Sequence, residues 1–383
     1  MKRHYWINIF CLILLVNLLN SCDDKLEKIL DSKDLQIRQI IDNLDKHNLQ
    51  IIYSEIIRNE DDKVSFKDYF FNVDDDLYYY PASTVKLHVS ALTLQKLTEL
   101  NDSGININLD SEIEIISDNN TLHNQITFRE LIKKIFIISD NEAYNILFDF
   151  LGKDYISREL NKKGFFNTHI THNFSTKEYN ENIFYVFYND GKEIYRTKSG
   201  SANLSVVRSK LKEEKTGKGY YFKGEIINSE FDFSNKNFVS LKDLHSTTKQ
   251  IIFRDNYKPN KKFNLSNSYY NFLIECMGLN TLSDSNYYEP KFWDSYVKFF
   301  MFGDSKKLIP KDIKIYNKVG LAYGHLTETA YITNKNKKIE FLLSATLKVN
   351  ENEIYNDGIY EYDSIGIPFL SKLGKLIYQT YEN

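Results

Sequence analysis

Strand-forming segments lie at both ends of this chain, and helical ones lie between them. Near the start, Gln50 to Ile57 and Phe66 to Phe71 read as strands. Near the end, Ile313 to Val319, Glu328 to Ile332 and Lys338 to Leu347 alternate or run apolar as three more, before a closing helix over Leu370 to Tyr381. An isolated pair of strands is marginal in water. The two terminal groups must therefore meet in one antiparallel sheet. That gives an α+β layout: a sheet built from both chain ends, flanked by helices, with a helical subdomain inserted.

The middle supplies those helices. Leu35 to Leu49 carries Ile37, Ile40, Ile41 and Leu44 at helical spacing, and a helix is expected from Ser83 to about Leu97. Ile126 to Phe150 holds two helical stretches, with Thr127 placed to cap the first. Leu241 to Phe253 and Ser266 to Met277 read as two more. Asn189-Asp190-Gly191, between Ile183 to Tyr188 and Lys192 to Arg196, is a hairpin signal. No repeat of solenoid length is present.

Composition excludes some function classes. With 49 Lys and Arg against 52 Asp and Glu, the formal net charge is −3 and both signs are mixed along the chain. No basic field suits a nucleic-acid partner. The short Lys-rich stretches read as solvated faces. His169 and His172 have neither a clear helix nor a third ligand, so no metal site and no cofactor is expected.

The first residues read as an address. Lys2 and Arg3 precede an apolar run from Ile9 to Leu19, too short to span a bilayer comfortably. Leu19-Asn20-Ser21-Cys22 follows and resembles a bacterial lipoprotein lipobox. The resemblance implies a signal peptide over 1–21, lipid on Cys22, and a membrane-anchored protein of the cell envelope. Residues 22–38 read as a tether. Of the three Cys, Cys11 lies in the signal and Cys22 at the lipidation site. Only Cys276 is left for the folded body, so no internal disulfide can form. Its neighbours Phe272, Leu273, Ile274 and Met277 mark it as a buried thiol.

Chemistry is suggested by Ser83-Thr84-Val85-Lys86. Residues three apart share a helix face, so a neutral Lys amine can take the proton of a Ser one turn away. Burial and a nearby cation both favour the neutral amine. The same tetrapeptide pattern recurs at Ser209 to Lys212 and Ser246 to Lys249. The first lies in a charged stretch, and the second in a helix whose pattern already explains it. Ser83 follows a strand-like approach and a Pro and opens an apolar helix, where dipole and free N–H groups assist a nucleophile.

Two further motifs follow. Ser139-Asp140-Asn141 lies between helical stretches, whereas Ser117-Asp118-Asn119 follows a strand-like Glu112 to Ile116 without such context. Lys318-Val319-Gly320 lies on an expected strand with two strands and the last helix still to come. Lys215-Thr216-Gly217 sits in a charged run with no strand before it. Ser-x-x-Lys, Ser-Asp-Asn and Lys-x-Gly in this order resemble class A β-lactamases and the penicillin-binding proteins. The likeness covers most of the chain beyond the tether. It implies one hydrolase domain over 39–383, with the helical subdomain and an insertion at about 98–305.

The resemblance also implies roles. Ser83 would be the nucleophile and Lys86 its base. Ser139 and Lys318 would pass a proton to the leaving nitrogen. Asn141 would bind the substrate amide, and Gly320 and Leu321 would line the substrate strand, with the Leu321 N–H in the oxyanion hole. The family usually has Thr or Ser where this chain has Val319, and that hydroxyl helps hold the substrate carboxylate. Glu178-Tyr179-Asn180-Glu181-Asn182 keeps the Glu and Asn spacing of the family's deacylating loop, but Glu181 stands where Leu belongs. It reads as a surface carboxylate run. The expected activity is acyl-enzyme hydrolysis of an amide, β-lactam or peptide. The competing readings are a D-alanyl-D-alanine carboxypeptidase or transpeptidase acting on peptidoglycan peptides, a hydrolase of the same fold with another amide or ester substrate, and a non-catalytic or ligand-acylated binding lipoprotein.

Overall fold

The computed structural model describes residues 24–117, 120–174, 183–200, 210–284, 287 and 291–382. The signal segment and Cys22 lie outside the described residues, as do Asp118, Asn119, Glu178 and Ser209.

The two chain ends share one antiparallel sheet. Strands β1 (Gln50–Arg58) and β2 (Val64–Phe71) form a hairpin. In the middle of the chain come β3 (Glu112–Ser117), β4 (Asn120–Ile126), β5 (Ile183–Asn189) and β6 (Lys192–Lys198). The last three long strands are β7 (Ile313–Ala322), β8 (His325–Asn334) and β9 (Ile339–Lys348). Order across the large sheet is β7-β8-β9-β1-β2. Tyr53 of β1 lies opposite Leu343 of β9, which joins the beginning of the fold to its end. This is the α+β architecture that the strand placement requires.

Helices cover both faces. On one face, α1 (Asp24–Leu30) and α2 (Leu35–Ile41) bury Leu26, Leu30, Ile37 and Ile40 in a core that includes Phe341, Leu343 and Val319 of the sheet. The closing helix of this core, Ile367–Gln379, adds Phe369, Leu370, Leu373 and Ile377. The expected tether over 22–38 is therefore corrected for residues 24–30. Leu26, Ile29 and Leu30 follow the i, i+3, i+4 spacing of a buried stripe, while Glu27 and Lys28 are exposed.

The subdomain centres on α3 (Val85–Asp102), in which Leu87, Val89, Ala91, Leu92 and Leu94 are all fully buried. A helix apolar on every side belongs inside a core. Around it pack α4 (Phe128–Ile137), α5 (Asn141–Leu151) and α6 (Lys153–Lys163). Next in chain order come α7 (Leu241–Ile252) and α8 (Asn267–Met277). The Thr127 hydroxyl caps α4 by accepting from Glu130 N at 3.2 Å. This middle region is not purely helical. It also holds a four-stranded sheet of order β4-β3-β5-β6, whose β5–β6 hairpin turns at Asn189-Asp190-Gly191.

A third, smaller core joins the late insertion to the approach of Ser83. Leu211, Phe233, Phe238 and Tyr355 pack with Tyr78, Tyr80 and Ala82.

Candidate active site

Ser83 sits in a single 3₁₀ turn, Ala82–Thr84, just ahead of α3. Tyr78, Tyr79 and Tyr80 are buried and fix the approach. Pro81 sets the turn, with φ −73°. Ala82 then takes a left-handed backbone, φ +45°, a conformation that costs roughly 1–3 kcal/mol in a non-glycine residue and persists only where packing imposes it. Thr84 ties the turn shut by donating from N (3.1 Å) and Oγ1 (2.7 Å) to Pro81 O. Ser83 is half-buried at the surface of this knot.

One turn on from Ser83, at the start of α3, Lys86 is fully buried. Its Nζ donates to the Ser139 carbonyl, to Asn141 Oδ1 at 2.7 Å, and more weakly to Ser139 Oγ at 3.4 Å. Burial pushes the amine down to about 7, with Asp140 opposing. The Phe174 ring lies 5.2 Å from Nζ, a contact that sequence reasoning missed and that no local pattern advertises.

The Ser-Asp-Asn stretch bridges α4 and α5, and each residue has its own task. Ser139 is left-handed, φ +56°. Asp140 caps α5 by accepting from Ala143 N at 2.7 Å. Asn141 begins the helix and faces Lys86.

The third element is β7, the edge strand of the large sheet. Lys318 Nζ donates to Ser139 Oγ at 2.9 Å and to Val319 O at 3.1 Å. Ser139 Oγ thus lies between two amines. Lys318 is buried, and burial together with Lys86 and Lys298 holds its amine well below the ordinary lysine range. Two residues on, Gly320 passes directly over the Ser83 turn. A Cβ on Gly320 would sit 2.5 Å from Pro81 O and 2.9 Å from Ser83 N, so only glycine permits this approach. Leu321 follows, its side chain 42% exposed.

The fold brings Ser83, Lys86, Ser139, Asn141, Lys318, Gly320 and Leu321 to one place. The competing motifs lie elsewhere. Lys215 is exposed and paired with Asp232 at 3.2 Å. Ser246 and Lys249 lie within α7, where Lys249 Nζ meets Asp68 at 2.7 Å. Val319 points away from the cleft into the core beneath the closing helix. His325 is buried as well. Neither of its ring nitrogens has a hydrogen-bond partner among the described residues, and burial holds it neutral down to about pH 3. Cys276 is buried, its thiol pushed up to about 12. No helix of the described residues is long and apolar enough to cross a membrane.

Solved structures share the fold. "Structure of PBP-A" superposes with a TM-score of 0.54 at 13% identity, over 93% of this chain and 95% of that one. A PBP-A mutant captured as an acyl-enzyme complex with penicillin-G gives 0.52 at 14% identity, over 93% and 97%. A β-lactamase from Burkholderia ambifaria gives 0.50 at 10% identity, over 90% and 98%. No curated protein is similar in sequence. A family model described as "Beta-lactamase enzyme family" matches residues 36–208. Over that span the chain is similar to the β-lactamase enzyme family. The matched span holds Ser83, Lys86, Ser139 and Asn141. Its Lys318 strand lies beyond that span and is joined to the others by the fold. A serine hydroxyl one helical turn from a buried amine, with a second hydroxyl shared between two amines, is an arrangement that can support acyl-enzyme chemistry.

Proposed function

We propose that Ser83 attacks a strained or activated amide carbonyl of a small-molecule substrate, a β-lactam being the preferred class. The observation that carries this reading is the meeting of Lys86 and Lys318 on Ser139 beside the Ser83 turn. Lys86, its amine pushed down to about 7, takes the Ser83 proton as the Oγ–C bond forms. The carbonyl electrons move to oxygen, which the Ser83 and Leu321 N–H groups receive. An edge strand directs alternate N–H groups away from its sheet, and Gly320 lets that edge close on Ser83. Collapse breaks the C–N bond. The leaving nitrogen takes a proton from Ser139 Oγ, which Lys318 replaces. Asn141 orients Lys86 and receives the substrate amide. Water or another acceptor then releases the acyl group. Glu178, the candidate base for that step, lies outside the described residues.

The test uses soluble protein without residues 1–22, a fluorescent penicillin and a chromogenic cephalosporin. Fast colour without lasting label supports a β-lactamase. A stable label that Ser83→Ala abolishes supports the cell-wall peptidase or acylated-receptor chemistry at the same serine. Undiminished hydrolysis by Ser83→Ala sinks the assignment.

Anchoring through lipid on Cys22, at the cell envelope, is proposed on the lipobox-like sequence alone. Detergent-phase partition of the full chain, lost in Cys22→Ala, tests it.

A further inference from the structure

Beneath the edge strand lies a buried polar chain that the acyl-transfer scheme does not use. Side chains alternate along β7. Lys318 and Gly320 face the nucleophile, while Asn317 and Val319 face the opposite core. Into that core runs the Lys298 side chain, 2% exposed. Its Nζ donates to Met277 O at 3.0 Å, Ile315 O at 2.8 Å and Asn317 Oδ1 at 2.5 Å. Three acceptors match the three protons of an ammonium. Asn317 turns its amide nitrogen to Val297 O at 2.8 Å and to Glu328 Oε1. The other Glu328 oxygen accepts from Phe300 N at 2.6 Å. Glu328 is fully buried on β8, opposite Val319.

Burial is the largest influence on both groups and, even against the opposing hydrogen bonds and charges, pushes Lys298 down to about 7 and Glu328 up to about 8. The geometry of donors and acceptors is that of the ionised pair. Every partner of Lys298 is an acceptor and both partners of Glu328 are donors, which suits an ammonium and a carboxylate bridged by Asn317. Such buried ions are a poor way to gain stability, since apolar residues of similar volume do as well or better. What they grip is the β7 main chain at 315 and the side chain at 317, immediately before Lys318.

We propose that Lys298, bridged by Asn317 to Glu328, is a positioning residue for Lys318: it clamps the strand that presents Lys318 to Ser139 and sets a cation behind it that makes Lys318 a readier proton donor. The charged groups acting on Lys318 are Lys86 and Lys298, which disfavour its proton, and Glu328, which favours it. Those acting on Lys298 are Glu328, Asp294 and Lys314. Removing Lys298 therefore raises the Lys318 midpoint, and neutralising Glu328 lowers it. A role in packing alone moves neither.

This inference rests on the acyl-transfer reading for its purpose, but its test needs no substrate. Lysine side chains are labelled with ¹³C at Cε, and Lys318 is identified by the signal lost in Lys318→Met. Its midpoint is followed by NMR in the wild type, Lys298→Met, Glu328→Gln and the exposed control Lys314→Met. The expected result is an upward shift of about one pH unit in Lys298→Met, a tenfold change in proton affinity. Glu328→Gln shifts it downward, and the control shifts it least. An unmoved midpoint in folded Lys298→Met, or a shift of the same sign in both core variants, overturns the proposal. Should Lys298→Met not fold, an unmoved or raised midpoint in Glu328→Gln overturns it, and a lowered one supports it. Labelling of wild-type Ser83 by the fluorescent penicillin reports separately on the acyl-transfer reading.

Discussion

Gly320 crosses Ser83 so closely that one added methyl would stand 2.9 Å from the Ser83 amide nitrogen and 2.5 Å from Pro81 O. Both contacts are with backbone, which cannot step aside as a flexible side chain can. Gly320→Ala must push β7 away from the nucleophile turn. The acylation rate is expected to fall about 10²–10³-fold, the scale of losing one oxyanion donor. Overpacking of this kind costs about 1–3 kcal/mol of stability. Label incorporation set against thermal unfolding separates the two effects.

Acylation should rise with pH through a limb near 7. Lys86 can receive the Ser83 proton only when neutral, and burial brings its amine down to about 7. Below that midpoint the base is occupied, and above it the base is free. Lys86→Arg, which stays charged, should lose the limb and most of the rate. Labelling rates between pH 5 and 9 provide the check.

Ser139→Ala removes the hydroxyl shared by the two amines, leaving Lys318 Nζ bonded to Val319 O at 3.1 Å. The leaving nitrogen loses its proton source. Turnover is expected to drop by about 10²–10⁴-fold, the usual span for a general acid, while Ser83 still reacts with an activated ester. Equal losses on both substrates would contradict this role.

His325 offers a stability test. It is buried, its ring nitrogens have no partner among the described residues, and it stays neutral in the fold down to about pH 3. The unfolded chain protonates it near 6.5. Its folded pKa is thus depressed, so its contribution falls as pH drops below 6.5 and continues to fall towards 3. His325→Phe removes both burdens. The variant should be more stable by roughly 1 kcal/mol at pH 8, from relief of the unsatisfied nitrogens, and its margin should widen on acidification. Denaturant unfolding at pH 8 and pH 5 measures both.

The architecture was legible where pattern and burial agree. β7, β8, β9 and the closing helix read directly from their apolar runs, and Thr127 announced α4. Ser-x-x-Lys occurs four times, at Ser83, Ser209, Ser246 and Ser295, and local context rather than the motif separated Ser83 from Ser246, which a helix core already accounts for. Other elements left weaker traces. The strand Asn120–Ile126 is largely polar and half-exposed, so no alternation marks it. The helix Asp24–Leu30 carries four charged residues in seven, which hid its buried stripe. Lys298 could not be recognised from its neighbours, because its partners come from Met277, Ile315 and Asn317, and the bridge from Asn317 reaches Glu328. The close pass of Gly320 over Ser83 joins positions far apart in the chain and is visible only in three dimensions.

The pairing of β1 with β9 also sets a schedule. Synthesis delivers Ser83, Lys86 and Ser139 early, but β1 has no inner neighbour until residues 339–348 arrive, and Lys318 comes on one of the last strands. A nascent chain, or a fragment cut before β7, owns a serine and one amine without the strand that brings the second. On the proposed roles, reactivity is expected only with the finished sheet, and a prematurely terminated chain is expected to be inert rather than loosely acylating.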